Sequence, residues 1–504
     1  MKYHCGVLRV QLAASLYNTN AVINAVLAAR AQVTDTLICE SELTAEVSGH
    51  FKYLLALIGH IYCYTFEVTG AKVIITLPTR FNRPSCAFSA PEVDVLFENP
   101  DYLLDYDIDS VQSTRAAAGL SPVKVQHLAN FQLHHFPPFN CPLATEPTPS
   151  LEQVVLGGTF DFLHPGHLIL LTCLSLVTTQ HIHLALTVDE LLKSKRYKAF
   201  LQAYSRRERD LANIMRFLAP HVPIHIFPLA DPVGPAATES WDGIILSREV
   251  EKAGEQINEI RRKNGLKGLV SVVVDLVQLG TQKMSSTDVR ALLSERCGGQ
   301  GDALLVSWLD LCVQLGVSTL DAKDWWSDLC ASYLRYDRHA HTHLSISHML
   351  QTTALLQVSL SPSLQLALWF LYFVLEPDHA DNLERSAEAC RQFIAQTHAI
   401  GCEQAPDLIS AQKSPVKAEE LLLEDLSLAV LGSETDQYCR YTVKLRREFS
   451  FWTTYTVHRT NFLAGLLARP SIFHNTNFQE RYESAARGNI RRELQQLGSR
   501  SAQL

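Results

Sequence analysis

A short apolar run, Val154 to Leu156, meets two glycines, Gly157 and Gly158, and continues as Thr159-Phe160-Asp161-Phe162-Leu163-His164-Pro165-Gly166-His167. No other stretch of the chain narrows the possible folds as far. The run reads as a buried strand, and Leu168 to Leu174 as the start of an apolar helix that the His-x-Gly-His opens. Strand, glycine turn and helix in that order predict a doubly wound parallel sheet with the turn at its ligand-facing edge. Glycine lets phosphate oxygens come close, because no Cβ blocks the turn. The same order predicts two imidazoles and several free backbone N–H groups at a helix N-terminus, a natural seat for a polyphosphate.

The rest of the chain divides around this segment. At roughly 150 residues per domain, a chain of 504 residues suggests about three domains. The prolines at 137, 138, 142, 147 and 149 cannot continue a helix or a central strand, and they mark a first linker. Gly298-Gly299-Gln300-Gly301 marks a second. The expected domains are therefore 1–145, an α/β region of unassigned role, 151–296, alternating strand and helix, and 302–498, almost wholly helical. Within the first, Leu12 to Ala31 reads as helical, Tyr53 to Phe66 as a buried apolar element and Val73 to Leu77 as a strand. No internal repeat stands out. A net charge of -8 argues against non-specific nucleic-acid binding, so no nucleic acid is expected as a partner. The most apolar run, Leu364 to Leu375, is too short to span a bilayer and fits a buried helix. Twelve cysteines with no Cys-x-x-Cys pair read as reduced thiols, and no secretory signal is visible. A cytoplasmic location is expected, compatible with mitochondrial association.

Three further stretches fall into step with the first motif. They are Thr187-Val188-Asp189-Glu190-Leu191-Leu192-Lys193-Ser194-Lys195, the strand Asp242 to Ser247 running into Arg248-Glu249, and Lys283-Met284-Ser285-Ser286-Thr287-Asp288-Val289-Arg290. Together they resemble the nucleotidyltransferases, and in wording the eukaryotic phosphopantetheine adenylyltransferases, over residues 152 to 295. Cytidylyltransferases share the first motif, but usually carry Arg-Thr-Glu-Gly ahead of the closing serines, which this chain lacks. The resemblance implies transfer of the adenylyl group of ATP to 4'-phosphopantetheine, with Mg2+ accompanying the ATP. It makes His167 and Lys195 the catalytic pair. Gly158, Thr159, Phe160, His164, His167, Arg248, Ser285, Ser286 and Thr287 would hold ATP, and Thr159, Lys193 and Lys195 the acceptor, with Lys193 the alternate to Lys195. Arg261 is a further phosphate candidate, because a guanidinium grips two oxygens at once. Val250 stands where related sequences carry a threonine. Ser285 to Thr287 also predict an N-cap and a second anion-binding helix end.

Animal coenzyme A synthases carry a weakly similar region ahead of this domain and a dephospho-coenzyme A kinase after it. No Gly-x-x-x-x-Gly-Lys-Ser/Thr follows residue 295, so a separate kinase is implied.

Beyond Trp308 the motifs Arg338-His339-Ala340-His341, Leu366-Ala367-Leu368-Trp369-Phe370, Asp381-Asn382-Leu383-Glu384-Arg385 and Glu483-Ser484-Ala485-Ala486-Arg487 resemble the predicted HD-type metal-dependent phosphohydrolases. That family's second histidine falls on Ser345 and its His-Asp dyad on Leu371-Tyr372. Leucine has no lone pair and tyrosine cannot replace a bridging carboxylate. The expectation is a degenerate helical domain with no metal site, serving as a scaffold, a regulator or a contact for a protein partner or second copy. The competing readings are a nucleotide-binding protein without catalysis and a hydrolase with an unrecognised helical site.

Overall fold

The computed structural model describes residues 3–66, 72–78, 85–99, 103–128, 134–137, 139, 141–143, 146–220, 222–231, 233–275, 285–335, 337–376, 379–450 and 454–501. Among the described residues, ten strands form two five-stranded sheets. The first contains β1 (Tyr3–Leu12), β2 (Val33–Leu43), β3 (Lys72–Thr76), β4 (Val95–Glu98) and β5 (Lys124–His127), in the order β3-β2-β1-β4-β5. The second contains β6 (Leu151–Gly158), β7 (Thr178–Thr187), β8 (Ile224–Leu229), β9 (Gly243–Ser247) and β10 (Val270–Val274), in the order β10-β9-β6-β7-β8. Neighbouring strands run parallel throughout. Val154, Val155 and Leu156 on β6 and Leu184, Ala185 and Leu186 on β7 are buried in succession, as strands covered on both faces require. Both sheets are doubly wound, each reversing direction beside its first strand.

The helix expected from Leu12 starts later, at Leu16, and runs to Arg30. β1 continues through Leu12, and Ser15 caps the helix by accepting a hydrogen bond from Asn18 N–H. The apolar element near Tyr53 is the helix Phe51–Thr65.

The chain forms two compact units, residues 1–196 with 204–290, and residues 197–203 with 291–504. The expected boundary at 145–151 thus separates two sheets inside one unit. Its cause is the helix Phe51–Thr65, whose Leu54, Leu57, Ile58 and Ile61 share one apolar core with Leu168, Leu171 and Leu174 of the helix Pro165–Val177.

The second unit is helical and centres on Trp308, Trp369, Phe370 and Phe393, all fully buried. Several buried polar groups there are tied down. Trp308 Nε1–H donates to the Ala322 carbonyl at 2.7 Å, and the Arg459 guanidinium pairs with Glu493 through two 3.0 Å contacts. Residues 197–203 belong to this unit through Trp326 Nε1–H, which donates to the Ala199 carbonyl, and Ser327 Oγ, which accepts from Ala203 N–H. No helix among the described residues is long and apolar enough to cross a membrane.

Candidate active site

The chain leaves β6 through a loop in which Phe160 and Phe162 both adopt left-handed backbone, with φ of 50° and 45°. Such a conformation costs of order 1–3 kcal/mol per non-glycine residue, and strain of this kind clusters at functional sites. Glycine suits position 158, because a Cβ there would lie 3.1 Å from the buried Phe160 ring and press on it.

His164 is the N-cap of the helix Pro165–Val177, with Pro165 in the first turn. Its Nδ1 accepts from Gly166 N–H at 3.1 Å. A ring nitrogen that accepts carries no proton, so a neutral His164 presents N–H at Nε2. The expectation of several free N–H groups at this helix end is corrected by the same geometry. Pro165 has none, Gly166 uses its own on His164, and His167 N–H donates to the His164 carbonyl. The helix start offers imidazole and dipole in place of a row of free amides.

His167 lies with its ring centroid 4.0 Å from that of His164 and 5.4 Å from that of Phe160. Its buried Nδ1 has no hydrogen-bond partner among the described residues. Burial, then His164, hold its pKa well below the ordinary histidine value. The Lys195 cation adds to this and the Phe162 backbone opposes it. His167 is therefore neutral at physiological pH. Lys195 lies on an exposed turn after Asp189–Leu192, and its cation is felt at the His167 ring. Lys193 is exposed on the same turn and faces solvent.

Two buried arginines hold these loops. Arg290, on the helix Ser286–Arg296, forms an ion pair with Asp161, both side chains being inaccessible to solvent. It also donates to the Arg196 carbonyl at 3.0 Å and to Thr287 Oγ1 at 3.1 Å. Arg207, on the helix Tyr204–Leu218, donates to the carbonyls of Thr159 and Thr187, both at 2.9 Å. Thr187 Oγ1–H in turn reaches the Gly158 carbonyl at 3.0 Å. The carboxyl ends of β6 and β7 and the last helix of the sheet are thus joined at one place.

Ser285 caps that last helix in a reciprocal box. Its Oγ accepts from Asp288 N–H, and the Asp288 carboxylate accepts from the Ser285 N–H and hydroxyl. Ser286 opens the helix, and Thr287 is engaged by Arg290. Lys283 and Met284 lie outside the described residues. Asp288 puts negative charge where an open anion site was expected, so this helix end is partly compensated from within.

Arg248 and Arg261 depart from expectation. Arg248 is exposed and grips Asp275 with Nε and Nη2, at 2.8 and 3.2 Å, while Nη1 reaches Glu251 at 3.1 Å. Its fork is taken up by carboxylates. Arg261 is buried and donates to the carbonyls of Lys267, Ala236 and Glu239 at 2.7–2.8 Å, which makes it structural. The residues missed are Asp161, Arg207 and Arg290. The first and last stand inside the recognised motifs, whereas Arg207 follows Arg206 on an amphipathic helix and carries no signal of its own.

A doubly wound sheet with His-x-Gly-His at the head of its first helix is a nucleotidyltransferase-type domain. No family model matches the chain. It is 36% identical over 144 residues to a phosphopantetheine adenylyltransferase of Pyrobaculum aerophilum, covering 28% of this chain and 91% of that protein. It is 34% identical over 129 residues to one of Methanosarcina mazei, covering 25% and 82%. It is 35% identical over 146 residues to that of Saccharomyces cerevisiae, covering 27% and 47%. A solved structure of a protein with unknown function from Archaeoglobus fulgidus is 23% identical over 26% of this chain and 95% of its own, at a TM-score of 0.22. The chain belongs to the phosphopantetheine adenylyltransferase family. It spans about half the length of its yeast relatives.

Proposed function

We propose that the chain transfers the adenylyl group of ATP to 4'-phosphopantetheine, giving dephospho-coenzyme A and pyrophosphate. The observation that carries this reading is the approach of the His164 and His167 rings to 4.0 Å beside the loop that Asp161 and Arg290 lock, with Lys195 on the turn after β7. A phosphate oxygen of phosphopantetheine forms a bond to the α-phosphorus. The bond from that phosphorus to the bridging oxygen breaks, and its electron pair leaves with pyrophosphate. The nucleophile is already anionic, so no base and no covalent intermediate are needed, and the work is positioning and charge stabilisation. His164 and the neutral His167 donate to phosphate oxygens, and Lys195 meets the acceptor phosphate or the charge growing at the α-phosphate. Thr159 lies between the substrates, with Gly158 and Phe160 beneath the nucleotide and Ser285 to Thr287 at its far side. Arg248 joins by exchanging Asp275 and Glu251 for phosphate.

Mg2+ bound to ATP would neutralise charge on the β- and γ-phosphates. The donors fit an ion carried by triphosphate and water. Asp161 is committed to Arg290, and among the described residues no three His, Cys, Asp or Glu side chains are grouped to hold a metal.

The helical unit is read as a degenerate relative of the HD-type phosphohydrolases that serves as scaffold or regulator. Supporting this, Leu371 is buried, the Tyr372 ring lies 4.5 Å from that of His341, and Ser345 Oγ–H donates to the Thr342 carbonyl. His341 itself is held by Glu448. Asp381, Glu384 and Arg385 sit among surface partners, with Arg385 on Glu376 and Glu384 on Ser410 and Lys413. All twelve cysteines are free, in keeping with a cytoplasmic setting. The test is pyrophosphate release by the purified chain with ATP and phosphopantetheine, compared with CTP. Turnover with ATP alone is expected. Nucleotide binding without turnover would favour the non-catalytic reading, and preference for CTP the cytidylyl one.

A further inference from the structure

The two sheets of the α/β unit share more than strand order. In each, one aspartate opens the fourth strand and clamps the first. The Asp94 carboxylate accepts from the N–H groups of His4 and Cys5, and Asp94 N–H donates to the Cys5 carbonyl. The Asp242 carboxylate accepts from Gln153 N–H, and Asp242 N–H donates to the Gln153 carbonyl. The next strand closes on the same residue both times, through Lys124 N–H to the Asp94 carbonyl and Val270 N–H to the Asp242 carbonyl, each at 2.8 Å.

A buried arginine is repeated with the same hand of bonds. Arg115 Nε–H donates to the carbonyl six residues on, Ser121, and its other nitrogens reach the carbonyls of Ala87, Ala90 and Val93. Arg261 Nε–H also donates six residues on, to Lys267, and its other nitrogens reach Ala236, Glu239 and Trp241. The turn that ends each arginine's helix carries a left-handed glycine, Gly119 at φ 71° and Gly265 at φ 73°. A buried guanidinium satisfied wholly by carbonyls is costly to assemble and unusual enough that two matching sets, in matching order, point to one origin.

We infer that residues 3–128 are a second copy of the nucleotidyltransferase fold, which has lost its nucleotide site and serves the catalytic copy as a built-in partner. The loss lies in the loops. After β1 the chain reads Ala13-Ala14-Ser15-Leu16-Tyr17-Asn18, with no glycine turn and no imidazole. Asn18 and Ser15 satisfy each other's surroundings, since Asn18 Oδ1 accepts from Ala13 N–H and Ser15 Oγ from Asn18 N–H. β2 ends in Glu40 and Glu42, whereas the turn after β7 bears Lys193 and Lys195. Both are engaged, Glu40 by Cys86 N–H and the Tyr106 hydroxyl and Glu42 by Arg9, so this edge carries carboxylates where the other copy carries lysines.

The partnership is built from the second helix of each copy. Phe51–Thr65 is buried nearly all round and packs on Pro165–Val177, the helix that His164 and His167 open. Tyr62 sits at that contact, its hydroxyl 3.3 Å from Thr172 Oγ1 and accepting from Ile75 N–H at 3.0 Å. In return, the helix Tyr204–Leu218 sends Asp210 to Lys72 at 3.0 Å and Arg216 to Glu92 at 2.8 Å.

This deepens the adenylyltransferase reading, on which the word catalytic rests, but its test does not need turnover. ATP titration of the full chain by calorimetry is expected to give one site per chain, and two would overturn the loss of the first site. Hydrogen exchange is then followed in the amides of 165–177. Arg115→Met, far in sequence from every proposed site residue, is expected to raise exchange there at least tenfold, together with exchange in 3–128. Tyr62→Phe, a gentler change that keeps the buried ring and removes only the hydroxyl that meets Thr172 and Ile75, is expected to raise exchange in 165–177 by a few fold. Loss of protection confined to 3–128 in Arg115→Met, with 165–177 unchanged in both variants, would overturn the partner role. If wild-type pyrophosphate release is absent, the exchange result still decides the partnership, and the two failures remain distinct.

Discussion

His167 is the residue on which the proposed chemistry turns most sharply. In the proposed reaction its neutral ring donates to a phosphate oxygen, and loss of one transition-state donor commonly costs on the order of 10²–10³ in rate. His167→Ala is expected to lower adenylyl transfer by about that factor while circular dichroism and melting stay close to wild type. A folded variant with near-normal turnover would remove His167 from the mechanism. At this scale the sequence is a good guide to histidines and a poor one to arginines. His164 and His167 are legible because spacing alone sets them at a helix start. Arg248 and Arg261 look alike as phosphate partners, yet one is bound by Asp275 and the other by carbonyls of residues 236–239 and 267. Those partners come from elsewhere in the fold, and no local pattern announces them.

Among the elements, the helix His343–Leu355 makes the clearest measurable demand. His343 is fully buried between Trp326 and Tyr333, its Nδ1 has no partner among the described residues, and burial pushes its pKa down to about 3. An unfolded chain takes up this proton near pH 6.5, whereas the folded one resists it until about pH 3. The stability held above pH 6.5 is therefore lost progressively as pH falls, by up to about 1.4 kcal/mol per pH unit from this one group. Glu448 adds to the loss below about pH 4.5. Burial works to raise its pKa, but His341 and the N–H groups of His339 and His341 hold it at about 2. His343→Phe keeps an aromatic ring and removes the titration. Melting curves from pH 7 to pH 4 are expected to shift downward less steeply in the variant than in wild type, and parallel slopes would refute the assignment. The helices themselves are readable from apolar spacing. The His343 environment is not, because its aromatic neighbours arrive from other helices.

For the whole molecule, the sequence marks two linkers where the structure has one compact α/β unit and one helical unit. The proline stretch does separate two sheets, but composition cannot reveal that they share a core. Nor does it reveal that they repeat one another, since the clamps are single residues in otherwise unlike segments. Elemental analysis of the full chain bears on the helical unit. We expect no stoichiometric iron, manganese or zinc and no phosphatase activity that a chelator abolishes, and finding both together would restore the hydrolase reading. The Asp161–Arg290 pair has a consequence for the order in which this protein comes into being. The two residues lie 129 positions apart, and a carboxylate cannot be taken out of water without its cation. On the ribosome, the strands and first helix around the loop emerge long before the arginine does. The loop must stay hydrated and open until Arg290 clears the exit tunnel, so the proposed nucleotide site is among the last parts of the α/β unit to set during translation. Nascent chains stalled short of residue 290 should be cut by protease near Asp161, and chains stalled well beyond it should be protected there.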